Sequence, residues 1–244
     1  MGSLCMNKRA YRIVCLVLFS LSPAAALADV ECVALLHGLA RTSTSMIRLE
    51  NRLERAGFEV VNINYPSRDQ SVQQLAKDVV TDAIDACEKF SPDTVHFVTH
   101  SLGGILVRFY FLNEEYEKLG KVVMLGPPNQ GSEVMDFWHK IPGFDRFTGP
   151  SGTQLGTTNG SMPRFLGAVN FELGIIAGNQ SINPFYSLMI PGPDDGKVSV
   201  DSTRIEGVSQ HLVMPVTHTW MMFNADVIEQ VIHFLNTGNF MLVP

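Results

Sequence analysis

The most constraining feature of the sequence is an apolar run that stops abruptly at a serine. Residues 95–100 include the apolar residues Val95, Phe97 and Val98, and Ser101 follows them, with Leu102-Gly103-Gly104 and a helical apolar pattern behind it. This order predicts a strand, a tight turn that lifts the Ser101 hydroxyl out of a sheet, and a helix whose free N–H groups face that turn. The alternative is a serine that only caps a helix. In the G-x-S-x-G pattern of such turns, the small residue Thr99 replaces the first glycine here, which makes the match less specific.

Composition favours one α/β domain and argues against several kinds of partner. The chain has 244 residues, of which 45% are hydrophobic and 17% charged, so it can bury a large core. Its formal net charge is −6 and no basic cluster occurs in its body, so no nucleic-acid partner is expected. The sequence has no Gly-rich phosphate loop, no CxxC pair and no HExxH motif. We therefore expect neither a metal ion nor an organic cofactor.

The first 28 residues have the pattern of a secretory signal peptide. Lys8, Arg9 and Arg12 precede an apolar run at residues 13–21, and a small-x-small cleavage pattern ends at Ala28. A retained membrane anchor is the alternative, but the apolar run is short for a span. Cleavage would leave a mature chain at residues 29–244 with a charge of −6 − 3 = −9. The protein is therefore expected to be exported, to the periplasm or the extracellular space.

Two cysteines remain after that cleavage. Cys32 lies on the first predicted strand, and Cys87 lies near the end of a helix expected to flank it. In an exported protein two such cysteines can form a disulfide. The alternative is a pair of buried thiols that act as small hydrophobic groups.

The first half of the chain alternates between strand and helix patterns. Strands are predicted at residues 30–36, 58–65, 94–100 and 121–125, with helices between them at 44–56, 71–90 and 102–117. This alternation predicts a parallel sheet with helices on both faces, whose ligand site lies at the carboxyl ends of the strands. His37-Gly38, Ser101 and Pro127-Pro128 all fall at such ends.

Residues 129–184 differ from the rest in being rich in Gly, Pro, Ser, Thr and Asn. Their helical patterns are short, and they include scattered large apolar groups such as Phe137 and Trp138. We expect a cap insertion over the site, with these two aromatic side chains contacting the substrate. One alternative is that the segment is a flexible surface loop. Another is that the aromatic residues form only a small core within the cap. Beyond it, strands are predicted at 186–190 and 207–216, and a final helix between Asn224 and Gly238.

A serine hydroxyl needs a base, and the base needs a carboxylate that orients it. His218 follows the last predicted strand, and Asp195 follows the strand before that, which gives the chain order Ser, Asp, His of one hydrolase class. Asp195 is preferred over its neighbour Asp194 because it directly precedes a Gly-x-Val segment, and Asp201 ranks third.

Other histidines and the oxyanion donors are assigned by position. His211 falls inside the predicted last strand, and His100 is expected to point away from the serine beside it. The N–H groups of Leu39, in the loop after the first strand, and of Leu102, directly after Ser101, are the expected oxyanion donors. His37 is expected only to brace that loop.

These segments together resemble the α/β-hydrolase superfamily. Within it the chain is similar to the lipases and esterases related to GPI inositol-deacylase and to small bacterial triacylglycerol lipases. The resemblance covers residues 30–236 and depends on five segments: Leu35-Leu36-His37-Gly38, Thr99 to Gly104, Gly126 to Ser132, Asp194 to Val198, and His218. It implies a compact, mostly parallel sheet of about six strands flanked by helices, with a cap insertion.

The expected function is a secreted esterase or lipase that cleaves carboxylic esters through an acyl-enzyme on Ser101. Its partner would be a small or lipid-like ester, with transient contact to a membrane or lipid surface. An acyltransferase or thioesterase with the same three residues is one alternative. A catalytically inactive, hydrolase-like binding protein is the alternative from another class.

Overall fold

Six parallel strands form one sheet in the computed structural model, which describes residues 29–242. The strands are β1 (Glu31–Leu36), β2 (Glu59–Ile63), β3 (Thr94–His100), β4 (Leu119–Leu125), β5 (Leu173–Gly178) and β6 (Gln210–Met214). Their spatial order is β2-β1-β3-β4-β5-β6, and every neighbouring pair is parallel. This confirms the expected compact α/β-hydrolase sheet. The predicted signal peptide at residues 1–28 lies outside the described residues.

Helices cover both faces of the sheet. They are α1 (Ile47–Arg55), α2 (Val72–Glu88), α3 (Leu102–Asn113), α4 (Glu133–His139), α5 (Asp145–Thr153), α6 (Met162–Phe165), α7 (Pro184–Ser187) and α8 (Ala225–Thr237). Strand β1 alternates between two cores: Ala34 and Leu36 pack with α2 and α3, whereas Val33 and Leu35 pack with α1 and α8. Both faces of the strand are apolar because a parallel sheet is buried on both sides.

The long helices begin and end where their capping residues predict. The Ser71 side chain accepts a hydrogen bond from the Gln74 N–H at 3.3 Å at the start of α2. The Asn224 side chain accepts from the Asp226 N–H at 2.8 Å at the start of α8, and Gly238 ends that helix in the left-handed conformation.

One strand prediction is wrong. Residues 186–190 form no strand, because Asn183 and Pro184 start the short helix α7 there: the Asn183 side chain accepts from the Tyr186 N–H at 3.3 Å. The fifth strand is instead β5, whose six residues are all buried. It lies inside the segment expected to be an insertion at residues 129–184, so the insertion proper ends before Leu173.

A buried arginine ties residues 129–172 to the sheet domain. Arg108 of α3 is 3% exposed and donates to the carbonyl oxygens of Pro163 at 3.1 Å and Gly167 at 2.8 Å. It also donates to the Asn129 side chain at 3.1 Å. These neutral acceptors replace the carboxylate that a buried guanidinium usually needs, so this segment is attached to the helix that follows Ser101.

Of the two alternatives for Cys32 and Cys87, the structure has the disulfide. A disulfide joins Cys32 of β1 to Cys87 of α2, and both residues are fully buried. It links the central sheet to one flanking helix. Among residues 29–242, no helix has both the length and the apolar character needed to cross a membrane.

Candidate active site

Ser101 lies on the tight turn between β3 and α3 that the sequence predicts. Its backbone has φ 52° and ψ −115°, a conformation that is strained for a residue with a side chain and costs about 1–3 kcal/mol. The Ser101 N–H donates to the Leu125 carbonyl at 2.9 Å, which fixes the turn on β4. A Cβ atom on Gly103 would lie 2.7 Å from the Leu36 carbonyl oxygen, so only glycine permits this close approach of α3 to β1.

Thr99 fits where the usual pattern has glycine because its neighbour on α3 has no side chain. Thr99 is fully buried. A Cβ atom on Gly104 would lie 3.3 Å from the Thr99 hydroxyl oxygen and 3.0 Å from the Met124 sulfur. The departure from the pattern is therefore accommodated by packing and leaves the turn intact.

Asp195 and His218 form a buried pair. The Asp195 Oδ2 atom accepts a hydrogen bond of 2.7 Å from His218 Nδ1, and the main-chain N–H of His218 donates to the Asp195 carbonyl at 2.9 Å. The other carboxylate oxygen accepts from the N–H groups of Lys197 at 3.0 Å and Val198 at 2.8 Å. Because a carboxylate only accepts, the Nδ1 atom carries the proton, and Nε2 of the neutral ring is left to act as a base.

The competing acids are placed elsewhere. Asp194 accepts from the Gly196 N–H at 2.7 Å and from the Ser187 hydroxyl at 3.0 Å, and it makes no bond to a histidine. The Asp201 side chain is 88% exposed and lies 3.6 Å from the Arg204 guanidinium. Geometry therefore joins His218 to Asp195 alone among the three candidates.

The two rival histidines also differ in place. His211 lies on β6, where its Nε2 atom is 2.8 Å from the Thr203 hydroxyl, and burial lowers its pKa to about 4. The expectation that His100 points away from the site is wrong. Its ring centre lies 4.7 Å from that of His218, and its Nε2 atom donates to the His218 carbonyl at 3.0 Å. His100 also lines the cavity with Ser101, so neighbouring side chains of this turn face the same space.

His37 braces the loop after β1, as expected. It is fully buried, its Nδ1 atom donates to the Gly38 carbonyl at 2.9 Å, and its Nε2 atom accepts from the Tyr65 N–H at 3.3 Å. Its ring also stacks on Tyr65 with 4.0 Å between the centres. Burial lowers the pKa of His37, so the ring is neutral, and its contacts hold this loop in place.

The braced loop presents the Leu39 N–H. Ala40 has φ 54°, and its N–H donates to the Ser67 hydroxyl at 2.9 Å, while the Arg41 N–H closes a turn onto the Gly38 carbonyl at 3.2 Å. No acceptor within residues 29–242 takes the N–H of Leu39 or of Leu102. Neither N–H group is therefore occupied by an acceptor in this part of the protein.

A cavity of about 380 Å³ connects these groups. Ser101, His218 and Leu39 line it together with a largely apolar wall formed by Val134, Met135, Trp138, Phe144, Phe147 and Leu155. Trp138 lies on this wall and stacks on Phe144 with 4.2 Å between the ring centres. Phe137 does not line the cavity; its ring lies 5.3 Å from that of Trp138 and 5.7 Å from that of Phe185. Adjacent residues on a helix point in different directions, which separates this expected pair.

Two positively charged residues of the cavity were not predicted from the sequence. Arg41 and Lys197 line the same cavity as Ser101. Each lies two residues beyond a position that was singled out, Leu39 and Asp195 respectively. A signal was present, because loops at the carboxyl ends of parallel strands surround the ligand in such sheets.

Comparison with known proteins agrees with this geometry. A family model described as the alpha/beta hydrolase fold matches residues 32–150, which contain both the loop after β1 and the turn at Ser101. The chain has the α/β-hydrolase fold. No curated protein sequence matches this α/β-hydrolase significantly.

Solved lipases share its fold. The mature lipase BlEst2 of Bacillus licheniformis has a TM-score of 0.65 at 16% identity, covering 82% of this α/β-hydrolase and 90% of the lipase. Aspergillus fumigatus lipase B has a TM-score of 0.61 at 16% identity, over 85% of this chain and 52% of that one. Phospholipase PlaB from Legionella pneumophila has a TM-score of 0.57 at 19% identity, over 71% of this chain and 45% of that one.

Proposed function

We propose that this α/β-hydrolase cleaves carboxylic esters with Ser101 as nucleophile, His218 as base and Asp195 as orienting acid. The observation that carries the proposal is the buried 2.7 Å hydrogen bond between His218 and Asp195 at a cavity that also exposes Ser101 on its strained turn. Structural neighbours that are lipases or a phospholipase add support for an ester substrate.

In this mechanism the Ser101 oxygen attacks the ester carbonyl while His218 Nε2 takes its proton. The carbonyl oxygen becomes an oxyanion, to which the N–H groups of Leu39 and Leu102 donate. His218 then gives the proton to the leaving alcohol, which produces an acyl-enzyme. Water deprotonated by His218 attacks this ester, and Ser101 is released with the carboxylic acid.

The surroundings of His218 suit a ring that must gain and lose a charge. Asp195 is 2% exposed, so its carboxylate faces the imidazolium through little water and stabilises it. His100 is the closest other basic ring, and burial, followed by the His218 charge, lowers its pKa well below the ordinary value. A neutral His100 adds no repulsion when His218 becomes protonated.

The apolar wall suits an acyl chain, because Trp138, Phe144 and Leu155 can bury methylene groups. Export is part of the proposal, as the sequence of residues 1–28 suggests. The Cys32–Cys87 disulfide supports it, because such bonds persist in oxidising compartments.

The test is hydrolysis of p-nitrophenyl esters from acetyl to palmitoyl, together with labelling by a fluorophosphonate probe. Ser101→Ala should abolish both turnover and labelling. His218→Ala should lower kcat by at least about 10⁴-fold, whereas His211→Ala should stay near the wild-type rate and serves as the matched control. Labelling of Ser101 without hydrolysis of any of these esters would favour the hypothesis of an acyltransferase or thioesterase. Absence of both in the folded wild-type protein would favour a binding protein.

A further inference from the structure

The Arg and Lys side chains that line the cavity have no acidic counterpart in that lining. Arg41 and Lys197 line it with Ser101, and no Asp or Glu side chain is part of its lining. The chain as a whole is acidic, with a formal net charge of −6. The cavity that contains the proposed nucleophile is therefore positively charged, whereas the chain as a whole is negatively charged.

Neither cation has a carboxylate partner in the part of the chain that the structure describes. Three other described basic side chains do have such a partner, as in the pairs Lys118–Glu88 at 2.8 Å and Arg204–Asp201 at 3.6 Å. The Lys197 ammonium instead lies 4.9 Å from the centre of the Tyr186 ring, a cation–π distance. Tyr186 also lines the cavity, so this contact holds the ammonium at the site.

The backbone fixes both residues beside the reacting groups. Lys197 donates its N–H to the Asp195 carboxylate at 3.0 Å, and Arg41 donates its N–H to the Gly38 carbonyl in the turn that presents Leu39. Burial lowers the pKa of Lys197, and the Arg41 charge lowers it further, whereas Asp195 raises it. The two cations thus repel one another at the cavity, and an anion between them would remove that repulsion.

We propose that Arg41 and Lys197 bind an anionic group, a phosphate or a carboxylate, on the alcohol part of the ester. In this proposal the apolar wall binds the acyl chain, and the two cations bind the alcohol part of the ester. The preferred substrate is thus an amphiphilic ester with an apolar acyl chain and an anionic alcohol. This inference rests on the proposed ester hydrolysis and adds its substrate class. Guanidinium and ammonium groups both bind phosphate and carboxylate oxygens through charge-assisted hydrogen bonds.

The experiment compares esters that share one acyl chain. Decanoylglycerol is neutral, decanoylglycerol phosphate and the decanoyl ester of glycolate are anionic, and the decanoyl ester of glycerophosphocholine is zwitterionic. For the wild-type protein at low salt, kcat/KM for an anionic ester should exceed that for the neutral ester by at least about tenfold. Comparing the phosphate with the carboxylate ester shows which of the two anions is the better ligand. Added salt should reduce the preference.

Variants then assign the preference to the two residues. Arg41→Gln and Lys197→Gln should each lower the anionic-to-neutral ratio of kcat/KM by about tenfold. Arg41→Lys should keep part of the preference, because it keeps the charge. Lys89→Gln is the matched control, since Lys89 is an exposed cation that does not line the cavity, and its ratio should equal that of the wild type.

Failure of this inference can be told from failure of the proposed function. If Ser101-dependent hydrolysis occurs but the wild type does not prefer either anionic ester, the cationic pair has another role and the inference is wrong. An unchanged ratio in both Arg41→Gln and Lys197→Gln would also overturn it. If no ester, neutral or anionic, is cleaved and no probe labels Ser101, the proposed function itself fails. Thermal melting of each variant shows whether it is folded.

Discussion

His100 donates a hydrogen bond from Nε2 to the main-chain carbonyl of His218, at 3.0 Å. Its ring also packs on that of His218, with 4.7 Å between their centres. His100 therefore holds both the backbone and the ring of the proposed base, and it does so from the position directly before Ser101. We infer a positioning role for His100 that links the strand end at β3 to the loop after β6.

The first prediction concerns this contact. His100→Ala should lower kcat/KM on p-nitrophenyl esters by roughly 10- to 100-fold, because small displacements of a base are costly in rate. His100→Gln should recover much of the loss, since its amide nitrogen can donate to the same carbonyl. Steady-state kinetics over pH checks this, and the pH profile of kcat/KM in His100→Ala should differ from that of the wild type. Activity near wild type in His100→Ala would remove the positioning role.

The second prediction tests the space around the Asp195–His218 pair. Gly126 ends β4 with φ 55°, and a Cβ atom there would lie 3.0 Å from Asp195 Oδ2 and 3.1 Å from His218 Nδ1. Gly126→Ala should therefore disrupt the pair and lower kcat by on the order of 100-fold. The left-handed backbone adds about 1–2 kcal/mol of strain to the folded state.

A second glycine serves as a control that separates the effect of backbone strain from the effect of the new Cβ contacts. Gly57 also has a positive φ, of 100°, but a Cβ atom there would meet nothing within 4 Å. Gly57→Ala should lower the free energy of unfolding by a similar strain and leave kcat unchanged. Equal loss of kcat in both variants, measured at a temperature where both are folded, would show that general destabilisation explains the result for Gly126→Ala.

Most of the fold follows from local patterns in the sequence. Strands β1 to β4 and their helices alternate clearly, and capping residues such as Ser71 and Asn224 mark helix starts that the structure retains. Strand β5 was missed because it follows a long irregular segment, and because its buried run of six residues competes with a second apolar run at residues 186–190. Asn183 and Pro184 were a local signal for the helix that forms there instead.

The candidate site follows from the sequence less completely. Chain order led to Ser101, Asp195 and His218, although the strand predicted directly before Asp195 does not form. The structure joins the last two residues through a hydrogen bond. The direction of a side chain within a packed turn is not encoded locally, so His100 was assigned to the wrong side. For the same reason, Phe137 and Trp138 could not be separated without the orientation of α4.

The third prediction is that stability falls in acid. Burial is the first cause that lowers the pKa of His37, His96, His100 and His211 in the folded chain. The unfolded chain therefore binds more protons below pH 6.5, so the free energy of unfolding should fall as pH decreases from 6.5 toward the folded pKa values. Each proton bound only by the unfolded chain contributes a slope of about 1.4 kcal/mol per pH unit.

Urea unfolding between pH 4.5 and 8 measures this dependence. Above pH 7 these histidines are neutral in both states and should add no slope. His211→Gln removes one of them outside the catalytic cavity, so its slope below pH 6.5 should be shallower than that of the wild type. A wild-type free energy of unfolding that stays constant from pH 7 to 5 would contradict the assignment of buried neutral histidines.

The fourth prediction concerns the disulfide between Cys32 and Cys87. The bond closes a segment with a sequence separation of 55, which includes β2 and almost all of α2. In the chain-entropy account, a loop of this length raises the free energy of the unfolded state by about 4 kcal/mol. Reduction, or the double substitution Cys32→Ala with Cys87→Ala, should therefore lower the free energy of unfolding by up to that amount. Both side chains are fully buried, so the double variant loses some packing as well.

Chemical denaturation with and without a thiol reductant measures this contribution. The wild-type protein should lose stability on reduction, and the double variant should show no effect of reductant, which makes it the internal control. Esterase activity of the reduced protein, assayed while it remains folded, should match that of the oxidised protein, because the bond lies between β1 and α2 and not in the cavity lining. Equal stability of oxidised and reduced wild type would show that the two thiols act only as packed hydrophobic groups.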